Sequence, residues 1–244
     1  MTKSTLETFI KKYFLNGNNE SVKLVSENKV LKASAITEDK NVLSFITLSN
    51  FDGFDDAEVG IYNTSKLKQM LGVLSDKIDI SLVKNKDKVT AMDLSDDKIE
   101  VKYVTADLSV IPTAPNLKAI PQFNFNLVLD EDFIGKFIKA KNALPDVDTF
   151  TLIKNKKGKV EMIIGYAPSI NSDRITLSVK PESDKDDIDD TITFSAKYLK
   201  DILTSNSDSN SAVLKISSKG LANITFKNGD FESNYYMVAI QLAD

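Results

Sequence analysis

The chain has 244 residues, a formal net charge of −4, and neither histidine nor cysteine. A thiol nucleophile, an imidazole base, a disulfide and a His/Cys metal site are therefore excluded, and most enzyme classes lose support with them. The length fits one large domain or two of ordinary size.

The first half of the chain is predicted to start with an amphipathic helix and to continue mainly as strands. Residues Ser4–Phe14 carry apolar side chains at helical spacing. A second helix is predicted from a cap at Asn63 or Thr64 to Leu74. A hairpin tip is predicted at residues 84–87. Runs of alternating apolar and polar residues predict strands, namely VKLVS from Val22, VLSFITL from Val42 and KIEVKYV from Lys98.

A proline-rich segment separates the two halves. Three of the six prolines lie in SVIPTAPNLKAIPQ, which is a composition typical of a linker. The sequence therefore predicts an N-terminal domain at 1–109, a connector at 110–122 and a C-terminal domain at 123–244.

The second half repeats the order of the first. Two further helices are predicted, one after a cap at Asp130 and one after a cap at Ser195. The predicted strands are FNFNLVL from Phe123, RITLSV from Arg174 and YYMVAIQL from Tyr235, with hairpin tips at residues 155–158 and 228–229. YNTSKLKQML from Tyr62 also returns 132 residues later as FSAKYLKDIL. The fold class is α+β, with antiparallel sheets in two tandem domains.

Lysines are concentrated on the polar faces of the four predicted helices. Ten lysines stand there against three acidic residues, although the whole chain is acidic. Solvated faces of ordinary helices are the alternative interpretation. Four helices of the same sign instead favour a surface that binds a polyanion through its phosphates. The ten lysines are Lys3, Lys11, Lys12, Lys66, Lys68, Lys136, Lys139, Lys141, Lys197 and Lys200.

No set of side chains that reads base sequence accompanies these lysines. The single arginine, Arg174, lies in a predicted strand. Lysine lacks the bidentate fork that recognises base edges, and contacts to phosphates alone position a protein on DNA without fixing its register. The charge pattern therefore predicts binding to duplex DNA without sequence specificity.

Several segments together resemble the DNA sliding clamps, most closely those of T-even type phages and more distantly proliferating cell nuclear antigen. They are DDAEVGIYNTSKLKQMLGVLSDKIDISL from Asp55, the proline-containing connector, the stretch before TFSAKYLKDIL, and the ending NYYMVAIQLAD. The resemblance implies a ring-shaped homotrimer whose helices line the hole and whose sheets form the outer wall. It implies a processivity factor that tethers the replicative DNA polymerase, is loaded by a clamp-loader ATPase, and has no enzymatic activity, cofactor or metal.

The resemblance also implies a joint between subunits, made by two edge strands. Lys98–Thr105 of one subunit would meet Arg174–Lys180 of the next in a repeated head-to-tail contact. Ordinary exposed edge strands are the alternative. The residues assigned to the joint are Lys98, Ile99, Val101, Tyr103, Arg174, Ile175, Leu177 and Val179.

A pocket for linear or C-terminal peptides of partner proteins is implied beside the connector. An exposed apolar groove suits such peptide anchors, whereas core packing is the alternative for each residue. The residues assigned to the pocket are Val42, Val110, Ile111, Leu117, Ile120, Tyr236 and Val238.

Two other functions compete with this reading. A β-rich structural or adhesion protein of a phage would not need basic helices at repeated positions. A metal-dependent nuclease would use acidic clusters, although none of them has the calcium-loop pattern. The clusters are Asp52, Asp55, Asp56 and Glu58; Asp130, Glu131 and Asp132; and Asp184, Asp186, Asp187, Asp189 and Asp190.

No apolar run reaches the length of a signal peptide or a membrane span. The sequence therefore predicts a cytoplasmic protein, in the host cell's cytoplasm if it is viral, with no membrane partner.

Overall fold

The computed structural model describes residues 1–115, 117, 119–167, 172–179, 181–182, 188 and 191–241. The chain divides into two compact units. The first comprises Met1–Pro115 and Lys227–Ser233, and the second comprises Asn116–Phe226 and Asn234–Asp244. The boundary after Pro115 lies within the predicted connector. The return of residues 227–233 to the first unit is a long-range feature that a linear division of the chain does not anticipate.

The first unit contains two helices and two antiparallel sheets. Its sheets have the strand orders β4-β1-β2-β3 and β5-β6-β7. Short 3₁₀ turns at Leu15–Gly17 and Leu108–Val110 follow α1 and β7. The elements are α1 Lys3–Phe14, β1 Val22–Glu27, β2 Val30–Ile36, β3 Val42–Leu48, β4 Ala57–Ile61, α2 Thr64–Leu71, β5 Asp79–Asn85, β6 Lys88–Ser95 and β7 Glu100–Val104.

The second unit has one additional strand at its start. Its sheets have the orders β12-β9-β10-β11 and β8-β13-β14-β15, again antiparallel. The elements are β8 Phe125–Asp130, α3 Glu131–Ala143, β9 Thr149–Lys154, β10 Val160–Ile164, β11 Ile175–Ser178, β12 Ile192–Ser195, α4 Ala196–Ser205, β13 Ser211–Ser217, β14 Leu221–Asn228 and β15 Phe231–Val238. The end of β14 and the start of β15, within residues 227–233, belong to the first unit.

The two units repeat one topology. The order β4-β1-β2-β3 in the first corresponds to β12-β9-β10-β11 in the second, and β5-β6-β7 corresponds to β13-β14-β15. In each unit the two helices pack beside each other, α1 with α2 and α3 with α4. The predicted succession of helix, strands, helix and strands is therefore present twice.

Side-chain caps start all four helices. Thr2, Asn63, Asp130 and Ser195 each accept the backbone N–H three residues further on, at 2.7–3.1 Å. Such a cap satisfies one of the donors that a helix start leaves unpaired. The predicted caps at Asp130 and Ser195 are confirmed, and of the two alternatives for the second helix the cap is Asn63 rather than Thr64. The second helix ends at Leu71 rather than at the predicted Leu74, and Gly72 is its C-cap.

The core of each unit lies between its helices and sheets. In the second unit the Phe137 ring of α3 meets Phe150 of β9 edge-on, with 5.8 Å between ring centroids. Phe150 in turn stacks on Phe194 of β12 at 5.7 Å. These rings are fully buried, and aromatic pairs in such geometries contribute about 0.5–1.5 kcal/mol beyond the burial of their area. The aromatic contacts fix α3 and the strand leading into α4 on a shared sheet.

The last hairpin supplies part of the first unit. At its tip, Asp230 accepts the backbone N–H of Ser49 at 2.9 Å, and its carboxylate accepts the side-chain amide of Asn50 at 2.8 Å. Both partners directly follow β3. The first unit is therefore closed by residues that lie near the end of the sequence.

Candidate nucleic-acid interface

The helix pair of the first unit presents lysines on its exposed side. Lys66 and Lys68 of α2 are exposed, and Lys11 of α1 is partly exposed. The Lys68 ammonium lies 4.6 Å from the ring centroid of Phe14, so its position is guided by an aromatic face. Lys3 is partly buried, and its ammonium donates to the carbonyl of Leu74 at 2.6 Å, which ties α1 to the segment after α2.

The helix pair of the second unit repeats this arrangement. Lys136, Lys139 and Lys197 are exposed, and Lys200 is partly exposed. Lys136 forms an ion pair with Asp132 one helical turn earlier, at 2.5 Å. The hydrogen bond to Asp132 raises the pKa of Lys136, so its charge is held at neutral pH.

Two of the ten predicted lysines are buried, and the prediction is wrong for them. Lys12 is 1% exposed, and its ammonium lies 5.3 Å from the ring centroid of Phe231. Lys141 is 6% exposed and donates to the carbonyls of Leu144 and Pro145, at 3.3 and 2.9 Å. Its ammonium also lies 3.6 Å from a carboxylate oxygen of Asp148. Lys141 therefore satisfies carbonyls at the end of α3 and is not available to a phosphate.

The repeated sequence stretch corresponds to a repeated structural position. Asn63 and Ser195 occupy the same place in YNTSKLKQML and FSAKYLKDIL, and both are N-caps. Lys68 and Lys200 likewise occupy one place, on the open side of α2 and α4. Leu67 and Leu199 are the corresponding buried residues. One pattern thus fixes the helix start, its buried face and one lysine in each unit.

The two strands assigned to a subunit joint are both edge strands. β7 lies at the end of β5-β6-β7, and β11 lies at the end of β12-β9-β10-β11. Lys98, Ile99 and Arg174 are exposed, and Ile175, Leu177 and Val179 are partly exposed. The side chains of Val101 and Tyr103 are instead buried inside the first unit. The side chains of these two residues are therefore removed from the assigned joint.

Tyr103 fixes β7 against the start of α2. Its hydroxyl donates to the carbonyl of Asn63 at 3.1 Å and accepts the N–H of the same residue at 3.2 Å. Burial raises the pKa of Tyr103, so the hydroxyl remains a donor well above neutral pH. The buried face of β7 therefore positions the N-cap of a lysine-bearing helix.

Asp96 positions the other end of β7, and the sequence reading missed it. Its carboxylate accepts the backbone N–H groups of Ser75, Lys98 and Ile99 at 2.7–2.8 Å. These three hydrogen bonds hold the pKa of Asp96 well below its usual range. An aspartate shortly before a strand is a recognisable turn signal, but the bond to Ser75 depends on the folded chain.

A cleft adjoins each of the two edge strands. In the first unit, a cleft of about 460 Å³ is lined partly by Glu58, Val104 and the ion pair of Lys88 with Asp107, at 2.6 Å. The hydrogen bond from Lys88 holds the pKa of Asp107 well below its usual range. In the second unit, a cleft of about 420 Å³ lies among β8, α3 and β11, with Leu177 in its wall. Each edge strand therefore has open space beside it.

The residues assigned to a peptide pocket differ in exposure. In the first unit Val42 and Ile111 are buried in the core, so the prediction is wrong for these two, whereas Val110 is exposed. In the second unit Leu117, Ile120 and Val238 are exposed, and Tyr236 is partly exposed.

Four members of the acidic clusters in the described part of the chain have structural roles. Glu58 pairs with Lys23 at 2.7 Å, and Asp56 accepts the N–H of Asn28 at 3.0 Å. Asp130 caps α3, and Asp132 pairs with Lys136. Among the described residues, no three His, Cys, Asp or Glu side chains are grouped so as to hold a metal ion. The cluster between Asp184 and Asp190 lies outside the described residues.

Comparison with known proteins identifies the fold. The chain is similar to proliferating cell nuclear antigen from Entamoeba histolytica, with a TM-score of 0.74, 15% identity, and coverage of 98% of this chain and 96% of that one. It is also similar to A. fulgidus PCNA solved with the C-terminal region of FEN-1 bound, with a TM-score of 0.76 and 14% identity. That match covers 100% of this chain and 98% of the other. The chain has a PCNA-like clamp fold.

The clamp fold confirms the predicted class, which is α+β with four helices and antiparallel sheets in a two-domain arrangement. No protein-family model matches the chain, and no curated protein matches it. Within the part of the chain that the structure describes, no helix has the length and apolar character needed to cross a membrane.

Proposed function

We propose that the protein is a DNA sliding clamp, which encircles duplex DNA without sequence specificity and tethers a replicative DNA polymerase. The supporting observation is a clamp fold whose four helices, in two repeated pairs, carry lysines on their open sides. Eight of the ten lysines first assigned to DNA are retained. They are Lys3, Lys11, Lys66, Lys68, Lys136, Lys139, Lys197 and Lys200.

Lysine suits a protein that has to move along its ligand. Each ammonium is a point charge on a flexible stem, so it neutralises a phosphate without fixing the direction of approach. Phosphates repeat along the duplex regardless of sequence, so contacts to them specify no register. Lysine is the only basic residue type on the four helices, because the single arginine of the chain lies outside them. This composition favours sliding over site-specific binding.

The proposed assembly is a homotrimer closed by β7 of one subunit and β11 of the next. A strand at the edge of a sheet has unpaired backbone groups on its outer side, which a strand from another chain can pair with. A head-to-tail contact of this kind forms a closed ring when three copies complete the rotation. A closed ring needs a clamp-loader ATPase to open it on circular DNA, and we propose such a loader as a partner.

The proposed partner site is an exposed apolar surface of the second unit. It comprises Leu117, Ile120 and Val238, with Tyr236. The A. fulgidus PCNA was solved with the C-terminal region of FEN-1 bound, which supports a linear peptide as the ligand. We assign the polymerase peptide to this surface. On the sequence resemblance we assign the protein to the T-even phage type, acting in the host cytoplasm.

One experiment tests the central proposal. The native mass of the purified protein is measured, and the length of product from a primed circular template is compared with and without the protein, in the presence of polymerase and loader. A trimer that lengthens the products supports a clamp. A monomer that leaves product length unchanged overturns it, and magnesium-dependent cleavage of the template would indicate a nuclease instead.

A further inference from the structure

The turn between β9 and β10 carries a basic surface that the proposed function does not use. Four lysines lie within the six residues 154–159, and all four are exposed. We call Lys156, Lys157 and Lys159 the basic hairpin. Within the described part of the chain, these three make no ion pair with a carboxylate. Their charge is therefore directed to solvent.

The backbone beneath these lysines is held in one conformation by Asn155. Its side-chain oxygen accepts the N–H groups of Lys157 and Lys159 at 2.9 and 3.0 Å, and its side-chain amide donates to Glu161 at 2.6 Å. The backbone of Asn155 also pairs with Lys159 and Gly158, at 2.8 and 2.9 Å. The carboxylate of Glu161 is thus engaged by an amide, while the ammonium groups stand on an ordered turn.

The corresponding hairpin of the first unit shows that the fold does not require this charge. β1 and β2 are joined by the two-residue turn Asn28-Lys29, with both residues at positive φ. Glu27 forms an ion pair there with Lys32, at 3.4 Å. The second copy of the hairpin is longer and carries lysines in place of this neutralised pair. The topology of the hairpin is therefore formed in the first unit without a cluster of three unpaired lysines.

The surroundings of the basic hairpin indicate a polyanion as its ligand. None of the exposed large apolar side chains of the described chain lies on β9, β10 or their turn. A peptide partner normally inserts apolar anchors, for which this surface offers no site. Phosphates of a nucleic-acid backbone need only positive charge and supply one negative charge per ~1.7 Å of duplex.

We infer that the basic hairpin contacts backbone phosphates of duplex DNA outside the segment that faces the helices. Thr149, at the start of β9, pairs with Ser195, the N-cap of α4. The hairpin lies at the opposite end of β9, and six strand residues at ~3.3 Å each place it roughly 20 Å away. This inference rests on the proposed function and adds a second region of DNA contact to it.

Three triple variants test the inference, each with three lysines changed to glutamine. The hairpin variant is K156Q/K157Q/K159Q, the helix variant is K66Q/K139Q/K197Q, and the control changes the exposed Lys29, Lys40 and Lys219. Binding to a short linear duplex is measured by fluorescence anisotropy over a range of salt concentrations. The logarithm of the affinity falls by about 0.9 per neutralised phosphate for each ten-fold rise in salt. A variant that loses one phosphate contact is therefore expected to bind about eight-fold more weakly at 0.1 M salt, when both proteins are compared from equal affinity at 1 M.

The expected result is weaker binding and a smaller salt slope for the hairpin variant than for the control. Wild-type binding by the hairpin variant, together with weaker binding by the helix variant, overturns the inference and leaves the proposed function standing. Equal reductions in all three variants overturn it as an effect of net charge. Wild-type binding by both the hairpin and helix variants overturns the inference and the proposed function together. Binding to polyglutamate is measured in parallel. If the hairpin variant loses binding to polyglutamate but binds the duplex as the wild type does, the inference is overturned in favour of an acidic protein as the ligand.

Discussion

Single polar side chains position the edge strand β7 at both of its ends. The Tyr103 hydroxyl forms hydrogen bonds with the backbone N–H and C=O of Asn63. The Asp96 carboxylate accepts three backbone N–H groups, two in the turn before β7 and one from Ser75. Neither residue is on the lysine-bearing surface. Their effect on a DNA-binding surface is indirect, because they hold the start of α2 and the segment that follows it.

Replacing Tyr103 by Phe is expected to destabilise the first unit by about 1 kcal/mol, because the hydrogen bonds to Asn63 are removed. The midpoint of urea unfolding measures the change. Tyr62→Phe is the matched control, because that ring is exposed. Equal effects of the two substitutions would show that the Tyr103 hydroxyl contributes no specific stabilisation.

Replacing Asp96 by Asn is expected to destabilise the protein at neutral pH and to matter less in acid. The pKa of Asp96 is lowered in the folded state, so its contribution is complete above the ordinary value of 3.8 and is lost as the pH falls below it. Urea midpoints at neutral pH and near pH 3 measure the difference between wild type and variant. If the difference in urea midpoint between wild type and variant is the same at both pH values, the assigned role of Asp96 is contradicted. Asp97→Asn, on the neighbouring exposed residue, serves as control.

At the scale of whole elements, β7 presents one backbone side to β6 and the other to the outside. Thr105 donates its N–H to Thr90 at 3.1 Å, across the β6–β7 pair. Neighbouring residues of a strand alternate in direction, so Lys102 and Val104 direct their N–H groups away from β6. Val104 also has a side chain that is 73% exposed. Among the described residues, no strand pairs with the outer edge of β7, and this edge is partly apolar.

Val104→Pro is expected to dissociate the trimer without unfolding the subunit. Proline removes the outward N–H that a strand of the next subunit would use, and leaves the bonds to β6 intact. Sedimentation measures the mass, and circular dichroism checks the fold. Glu58→Pro on the edge strand β4 is the control, since that strand is outside the proposed joint. A trimer that survives V104P places the joint elsewhere.

At the scale of the whole molecule, polymerase stimulation is expected to depend on the exposed apolar residues of the second unit. Ile120→Glu combined with Val238→Glu is expected to leave the native mass unchanged and to abolish the gain in product length, because a charge prevents apolar anchors from inserting. Thr113→Glu adds a charge at an exposed polar position of the connector and serves as control. Full stimulation by the double variant would place the peptide site elsewhere.

Local patterns predicted most of the elements, because periodicity and capping depend on neighbours in the sequence. The caps at Asn63, Asp130 and Ser195 are examples. Features that depend on distant residues were not predictable in this way. Lys12 lies on what reads as a polar face, but Phe231 covers it.

The peptide-pocket assignment failed where burial decides the role of a side chain. Val42 and Ile111 are apolar in the sequence whether they line a groove or fill a core, and only packing distinguishes the two. The same limit applies to Lys141, whose carbonyl partners follow the helix end. Apolar periodicity therefore located the four helices correctly, whereas two of the ammonium groups assigned to their open faces are buried.

The first unit takes residues 227–233 from near the end of the chain, and this affects how the protein can be made. During synthesis, neither the Asp230 carbonyl that accepts the Ser49 N–H nor the Phe231 ring beside the Lys12 ammonium is present until residues 227–233 have been translated. The nascent N-terminal half would leave the ribosome with an incomplete edge beside β3. A gene truncated after the connector would therefore encode a fragment missing a piece of its own structure, and separating the two units would require grafting that hairpin back.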